Sequence, residues 1–354
     1  VALWHVYVGG VTEDVWQYHP RPNPDTTIPA RGIEHLLFDD SSYSLVHKET
    51  TEGDLFSPQN LVLNPNTPVL YAAEFAVPGR LVSFEIGCHG RLERGSSIET
   101  HGAMAISASV HPKGTRIYVG HLGDGVISMG RIDTSGMVVV TEPVVAPASL
   151  GSKVHHVCIS PCATTLLATD FGLDQIVSYP LNDVGDLSPE PISRVTLPAG
   201  CAPRQVEVHP SGKYVYTVGV GDCHLYVLEA EDFIPRRIIA RYPIGPLGLD
   251  DIGSAAETSM SLDASRLFVG VRGADSLSTF DLDVSGLPTR QRSVPSLGRS
   301  PRSIEVAPSG RSLLVGNWHS NRVEVFSGAD SDSLHATGGG LAIPSPSSFV
   351  FVPS

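Results

Sequence analysis

His155, Arg204 and Arg302 stand at the same place in a phrase that recurs along this 354-residue chain, each six residues before a turn-forming proline, Pro161, Pro210 and Pro308. An imidazole gives or takes a proton near neutral pH, whereas a guanidinium keeps its charge and donates hydrogen bonds in a planar fork. A histidine and two arginines at equivalent positions therefore suit proton transfer beside a bound or developing anion. The same place in every copy of the phrase is occupied by Ser347, Gln59, Ile106, His155, Arg204, Ala256 and Arg302. A second equivalent set follows the turns by ten residues and is completed across the joined termini: Val11, Phe75, Leu122, Phe171, Val220, Arg272 and Trp318. Most of its members are apolar and Arg272 alone is charged, while the residues just before them include Glu74, His121 and Asp170. This set reads either as a layer of core or as a pocket wall carrying one cation.

The phrase that places these residues is an apolar strand, a tight turn, then a second apolar strand. Its copies centre on Pro65, Pro112, Pro161, Pro210, Leu262 and Pro308, spaced 47, 49, 49, 52 and 46 residues apart. Val206 and Val208 before one turn show the period of two expected of a strand with one buried face. Each interval has room for two further strands, and about four strands per 45–50 residues is the spacing of a β-propeller blade. Six copies are whole and the seventh is divided between the ends: SPSSFVFVPS at the C-terminus matches SPRSIEVAPS, and VALWHVYVGG at the N-terminus supplies the strand that follows. The expected fold is thus all-β, a seven-bladed propeller with four-stranded blades, closed by terminal strands that share one blade. Residues 1–354 read as a single domain. A Pro-rich insertion at about residues 17–30 reads as a surface excursion, with a cover over one mouth of the channel as the alternative.

A formal net charge of −13 disfavours nucleic acid and anionic membrane as partners, so an anionic ligand would need local cations such as these arginines. No apolar run is long enough to span a bilayer, and residues 1–5 lack a basic segment leading into an apolar one. Five cysteines without a CxxC pair fit a reducing compartment, so cytoplasmic residence is expected. The chain holds no GxSxG, P-loop or HExxH. Asp170-Phe171-Gly172 spells a kinase metal triplet without its companion motifs. His155 and His156 are neighbours on a strand and face opposite ways, which prevents both from ligating one metal. No metal or cofactor is expected.

Aligned by its repeats, the chain resembles the lactonase-type seven-bladed propeller family over nearly its whole length. This family includes a bacterial 6-phosphogluconolactonase and the fungal 3-carboxy-cis,cis-muconate cyclase. The resemblance rests on His155 in VHHVCISP, Arg204 in APRQVEVHPSGKYVY, Ala255-Ala256-Glu257, Arg272 in FVGVRG and Arg302 in SPRSIEVAPSGR. It implies His155 as general acid or base, Arg204, Arg272 and Arg302 as anion clamps, and Glu257 as the carboxylate left to orient His155 or pair with an arginine. Gln59, Glu74, Phe75, His121, Asp170, Phe171, Val220 and Trp318 would line the substrate site. Val220 and Phe75 stand where family members often carry Glu, and Trp318 where Gln is common. A sugar's hydroxyls left unpaired against an apolar wall cost roughly 1–3 kcal/mol each. The expected activity is therefore opening or closing a ring on a carboxylate-bearing, relatively apolar small organic acid or lactone. The alternatives are a non-hydrolytic isomerase or cyclase, a non-catalytic ligand- or protein-binding propeller, and 6-phosphogluconolactonase itself.

Overall fold

The recurring turns at Pro112, Pro161, Pro210, Leu262 and Pro308 are closed by a hydrogen bond between the first and fourth residues, as from Gly114 N to His111 O (2.7 Å), Ala163 N to Ser160 O (2.8 Å) and Gly310 N to Ala307 O (2.8 Å). The fourth residue is left-handed, with φ of 68°, 59° and 79° in these three copies. Glycine takes that conformation freely, whereas the Cβ of Ala163 and of Ala264 (φ 55°) makes it costly. The turn returns the chain antiparallel to itself, and repetition builds the blades.

The computed structural model describes residues 3–13, 27–147, 149–245 and 254–354. These form seven antiparallel sheets, each with the four-stranded path of a propeller blade. The described residues divide into two compact units, Gln59–Tyr242 and Val1–Pro58 together with Pro243–Ser354. The first unit holds four blades, whose inner strands are Pro58–Leu63, Ala105–Val110, Val154–Ile159 and Pro203–Val208. The second holds three, with inner strands Ser254–Met260, Pro301–Val306 and the C-terminal Pro346–Pro353. That last strand pairs with the N-terminal Leu3–Gly10, from Trp4 opposite Pro353 to Gly10 opposite Pro346, so the two ends of the chain do share a blade.

Within each unit the core lies between neighbouring sheets. Tyr118, Ile127 and Met129 of one blade pack on Val157, Leu166 and Val177 of the next, and Phe268 and Leu277 pack on Ile304 and Leu313 in the same manner. In the middle strands both faces are buried, with Ile117 and Val119 beside Tyr118 and Leu267 and Val269 beside Phe268, so the strand period sends alternate residues into different inter-blade layers. No helix of the described residues is long and apolar enough to cross a membrane. All five cysteines are free thiols, with Cys201 and Cys223 buried. Of the Pro-rich insertion, residues 17–26 lie outside the described residues. At its end, Ala30 donates its N–H to Val11 O (2.9 Å) and Ile28 its N–H to Asn321 Oδ1 (2.8 Å).

The inner strands carry one feature that alternation alone does not predict. In six blades the pairing slips at the position of the first equivalent set. Val154 pairs with Asp170 and His156 with Thr169, which leaves His155 as an extra residue. Pro203 and Val206 pair with Gly219 and Thr217, so Arg204 and Gln205 face Val218 alone. Arg302 is extra between Pro301 and Ser303. Equivalent slips fall at Ile106, Ala256 and Ser347. A bulge turns its side chain away from the regular pleat, so these positions project independently of the packed faces that flank them.

Candidate active site

In the four-blade unit the bulges bring His155 and Arg204 together. Arg204 Nη1 lies 2.9 Å from His155 Nε2, and the two residues are 6% and 9% exposed. A guanidinium has no lone pair to offer, so in this contact Arg204 donates and His155 Nε2 accepts. The imidazole is thereby neutral, with its proton on Nδ1 and its basic nitrogen turned toward a fixed positive charge. The Phe171 ring lies 5.7 Å from that of His155, and Val220 and Phe171 are both half-buried. His156 does other work: its Nδ1 accepts the Val206 N–H (3.3 Å), and burial, followed by the Arg204 charge, pushes its pKa down to about 4.

Several polar residues expected near substrate are held in place by the protein itself. Glu74 is fully buried, and its Oε2 is 2.6 Å from Arg80 Nε. His121 is also fully buried; its Nδ1 donates to Val126 O (2.9 Å), which leaves Nε2 to accept from the Thr100 hydroxyl (2.7 Å). Asp170 accepts from Ser152 Oγ (2.6 Å) and from the backbone N–H groups of Lys153, Gly172 and Leu173 at 2.9–3.1 Å. Gln59 and Phe75 are enclosed at 6% and 1% exposure.

The three-blade unit carries a cationic cluster. The Arg302 guanidinium carbon sits 4.9 Å from the centre of the Trp318 ring, a cation–π contact. Arg272 Nη2 donates to Ser254 Oγ (2.8 Å) and Ala255 O (3.1 Å). Trp318 packs on His319, with ring centres 4.7 Å apart. Burial first, and then the charges of Arg299, Arg272 and Arg302, lower the basicity of His319, which Asp275 opposes. His319 Nε2 is buried and finds no hydrogen-bond partner among the described residues. Arg299 and His319 fall outside both equivalent sets; Arg299 stands three residues before Arg302, and His319 directly follows Trp318. Glu257 shares a bulge with Ala256 opposite Gly270, in the unit that holds Arg272 and Arg302 rather than His155.

Comparison with known proteins places this geometry in context. Residues 5–351 match the family model described as lactonase, 7-bladed beta-propeller. Curated relatives include the 6-phosphogluconolactonases of Erwinia tasmaniensis (24% identical over 268 residues, 76% of this chain and 79% of that one) and Cronobacter sakazakii (24% over 292 residues, 80% and 84%). Among solved structures, the periplasmic gluconolactonase PpgL of Pseudomonas aeruginosa superposes with a TM-score of 0.83 over 99% of both chains at 23% identity. A protein from Lactobacillus plantarum gives the same score at 18% identity, also over 99% of both chains. Because the family match takes in every blade, with the bulged His155, Arg204 and Arg302 inside it, the chain belongs to the lactonase family of seven-bladed β-propellers.

Proposed function

We propose that the chain hydrolyses a lactone bearing an anionic group, with 6-phosphogluconolactone as the first substrate to test. The observation that carries this reading is the 2.9 Å contact between His155 Nε2 and Arg204 Nη1, which sets a neutral base against a permanent cation. Water entering between them would lose a proton to Nε2 as its oxygen bonds to the lactone carbonyl carbon. The carbonyl π pair moves onto oxygen, where the Arg204 fork stabilises the oxyanion. Collapse re-forms the carbonyl and breaks the bond to the ring oxygen, which takes the proton from the His155 imidazolium and leaves as a hydroxyl. The product is the open hydroxy acid, and the base is restored.

The cluster of Arg272, Arg299 and Arg302 supports an anionic ligand, since on a chain of net charge −13 it concentrates positive charge locally. The enclosure of Phe75 removes one apolar position from those that weighed against a sugar. Free thiols throughout support a reducing compartment such as the cytoplasm. The test compares 6-phosphogluconolactone with uncharged gluconolactone. The reading expects kcat/KM at least tenfold higher for the charged substrate, and no turnover of either above the spontaneous rate would overturn it.

A second reading keeps the same residues but acts on an apolar carboxylate, opening or closing its ring. Phe171 beside His155, and Val220 in place of a carboxylate, favour it. An isomeric product without solvent oxygen would select this reading.

A further inference from the structure

Asp174 and Asp275 occupy equivalent places, thirteen residues after their turn anchors, and each reaches across a blade boundary to the residue two before a bulged arginine, Arg204 or Arg302. Asp174 Oδ1 accepts the Ala202 N–H and Oδ2 the Gly200 N–H, both at 2.7 Å. Asp275 Oδ1 accepts the Ser300 N–H, also at 2.7 Å. Ala202 and Ser300 are left-handed, with φ of 51° and 58°, and each precedes a proline. A side chain with a Cβ resists positive φ, and a following proline restricts the residue further, so this conformation lasts only where its surroundings impose it.

Those surroundings match in the two places. The Ala202 carbonyl accepts the Val220 N–H (3.1 Å), and the Ser300 carbonyl accepts the Trp318 N–H (3.0 Å). Gly221 passes so near the Gly200 carbonyl that a Cβ there would lie 2.0 Å from its oxygen. Each strained residue is thus gripped at both N–H and C=O. Pro203 or Pro301 then sets φ, and the bulge presents Arg204 or Arg302. A third copy uses Asn321, whose Oδ1 is 3.4 Å from the N of left-handed Ser345 (φ 43°), ahead of Pro346 and Ser347. A fourth uses Thr12, whose Oγ1 accepts the N–H of left-handed Ser57 (3.0 Å, φ 43°), ahead of Pro58 and Gln59. Among these four copies the carboxylates precede arginine; in two further blades Asp170 and Asp124 accept the N–H groups of Lys153 and Ala103 (both 2.9 Å), ahead of His155 and Ile106.

We infer that Asp174 and Asp275 are positioning residues that aim Arg204 and Arg302 by holding Ala202 and Ser300 in the left-handed conformation. The kinetic test rests on the lactone-hydrolase reading. Asp275→Ala should raise KM for 6-phosphogluconolactone at least tenfold with kcat within about threefold of wild type. Asp275→Asn keeps the accepting oxygen and should stay within about threefold in both. The decisive variant adds Ser300→Gly to Asp275→Ala: glycine adopts positive φ without help, so KM should return to within about threefold of wild type. A KM unmoved by Asp275→Ala, or a loss that Ser300→Gly leaves in place, overturns the inference.

If wild-type protein turns over no lactone, the hydrolase reading falls and the positioning inference is read separately. The Trp318 indole N–H resonance, assigned by its loss in Trp318→Phe, reports the Arg302 guanidinium stacked on that ring. It should shift in Asp275→Ala and return in the double variant. One resonance position in all three proteins would refute the inference.

Discussion

Lowering the pH should selectively weaken the blade that joins the two ends of the chain, through His35. This residue is 1% exposed, stacks on Tyr7 with ring centres 5.1 Å apart, and its Nε2 lies 2.9 Å from His5 Nδ1. One N–H serves that contact; a second proton on the facing nitrogen would leave two donors opposed with no acceptor between them. Burial first and the His5 charge second push the His35 pKa down to about 4, although Glu49 pulls the other way. In the unfolded chain the ring titrates near 6.5, so between the two values the unfolded state binds more protons and stability falls as pH falls. Linkage across this window gives a loss of about 2 kcal/mol between pH 7 and 4.5, reaching about 3 kcal/mol below pH 4. Denaturant titrations at both pH values on wild type and His35→Phe isolate the term, because the other histidines are common to both. The variant should lose about 2 kcal/mol less than wild type on acidification. Equal losses in the two proteins would refute the assignment.

Other substitutions test further parts of the structure. Arg204→Lys keeps a charge but loses the planar fork, and should lower kcat/KM on the order of 100-fold with Tm within a few degrees of wild type. His121→Phe strands the buried Thr100 hydroxyl, while the Val126 carbonyl keeps the backbone N–H of residue 121 (3.1 Å), and should cost about 1–2 kcal/mol in denaturant unfolding. Ala163→Gly relieves a left-handed Cβ at some cost in chain entropy, and should raise stability by about 0.5 kcal/mol by the same measurement.

The blade count was legible because the turn that closes each inner hairpin repeats both its residues and its backbone conformation. Pro112-Lys113-Gly114 and Pro308-Ser309-Gly310 stand out as a pattern in the amino-acid sequence alone. Counting back from those turns also put His155, Arg204 and Arg302 at one equivalent place, since a bulge adds a residue in the same place in each of these blades and leaves the count unchanged. The bulge itself was hidden for the same reason. Glu74, His121 and Asp170 looked chemical by residue type, yet Arg80, Thr100 and local backbone N–H groups hold their polar atoms. No residue type announces that, because the partners come from a facing strand, as Arg80 does for Glu74, or from backbone groups of adjoining loops. Asp174 and Asp275 were missed in the opposite sense: as turn residues they look ordinary, and their reach to Ala202 and Ser300 depends on how adjacent blades pack.

The central claim is that His155, held against Arg204, activates water to open a lactone. Single-turnover hydrolysis of 6-phosphogluconolactone in heavy-oxygen water, with wild type and His155→Ala side by side, tests it most directly. The expected product carries one solvent oxygen in its carboxylate, formed well above the spontaneous rate by wild type and at least about 100-fold more slowly by His155→Ala. Equal rates from the two proteins, or an isomeric product without solvent oxygen, would contradict it.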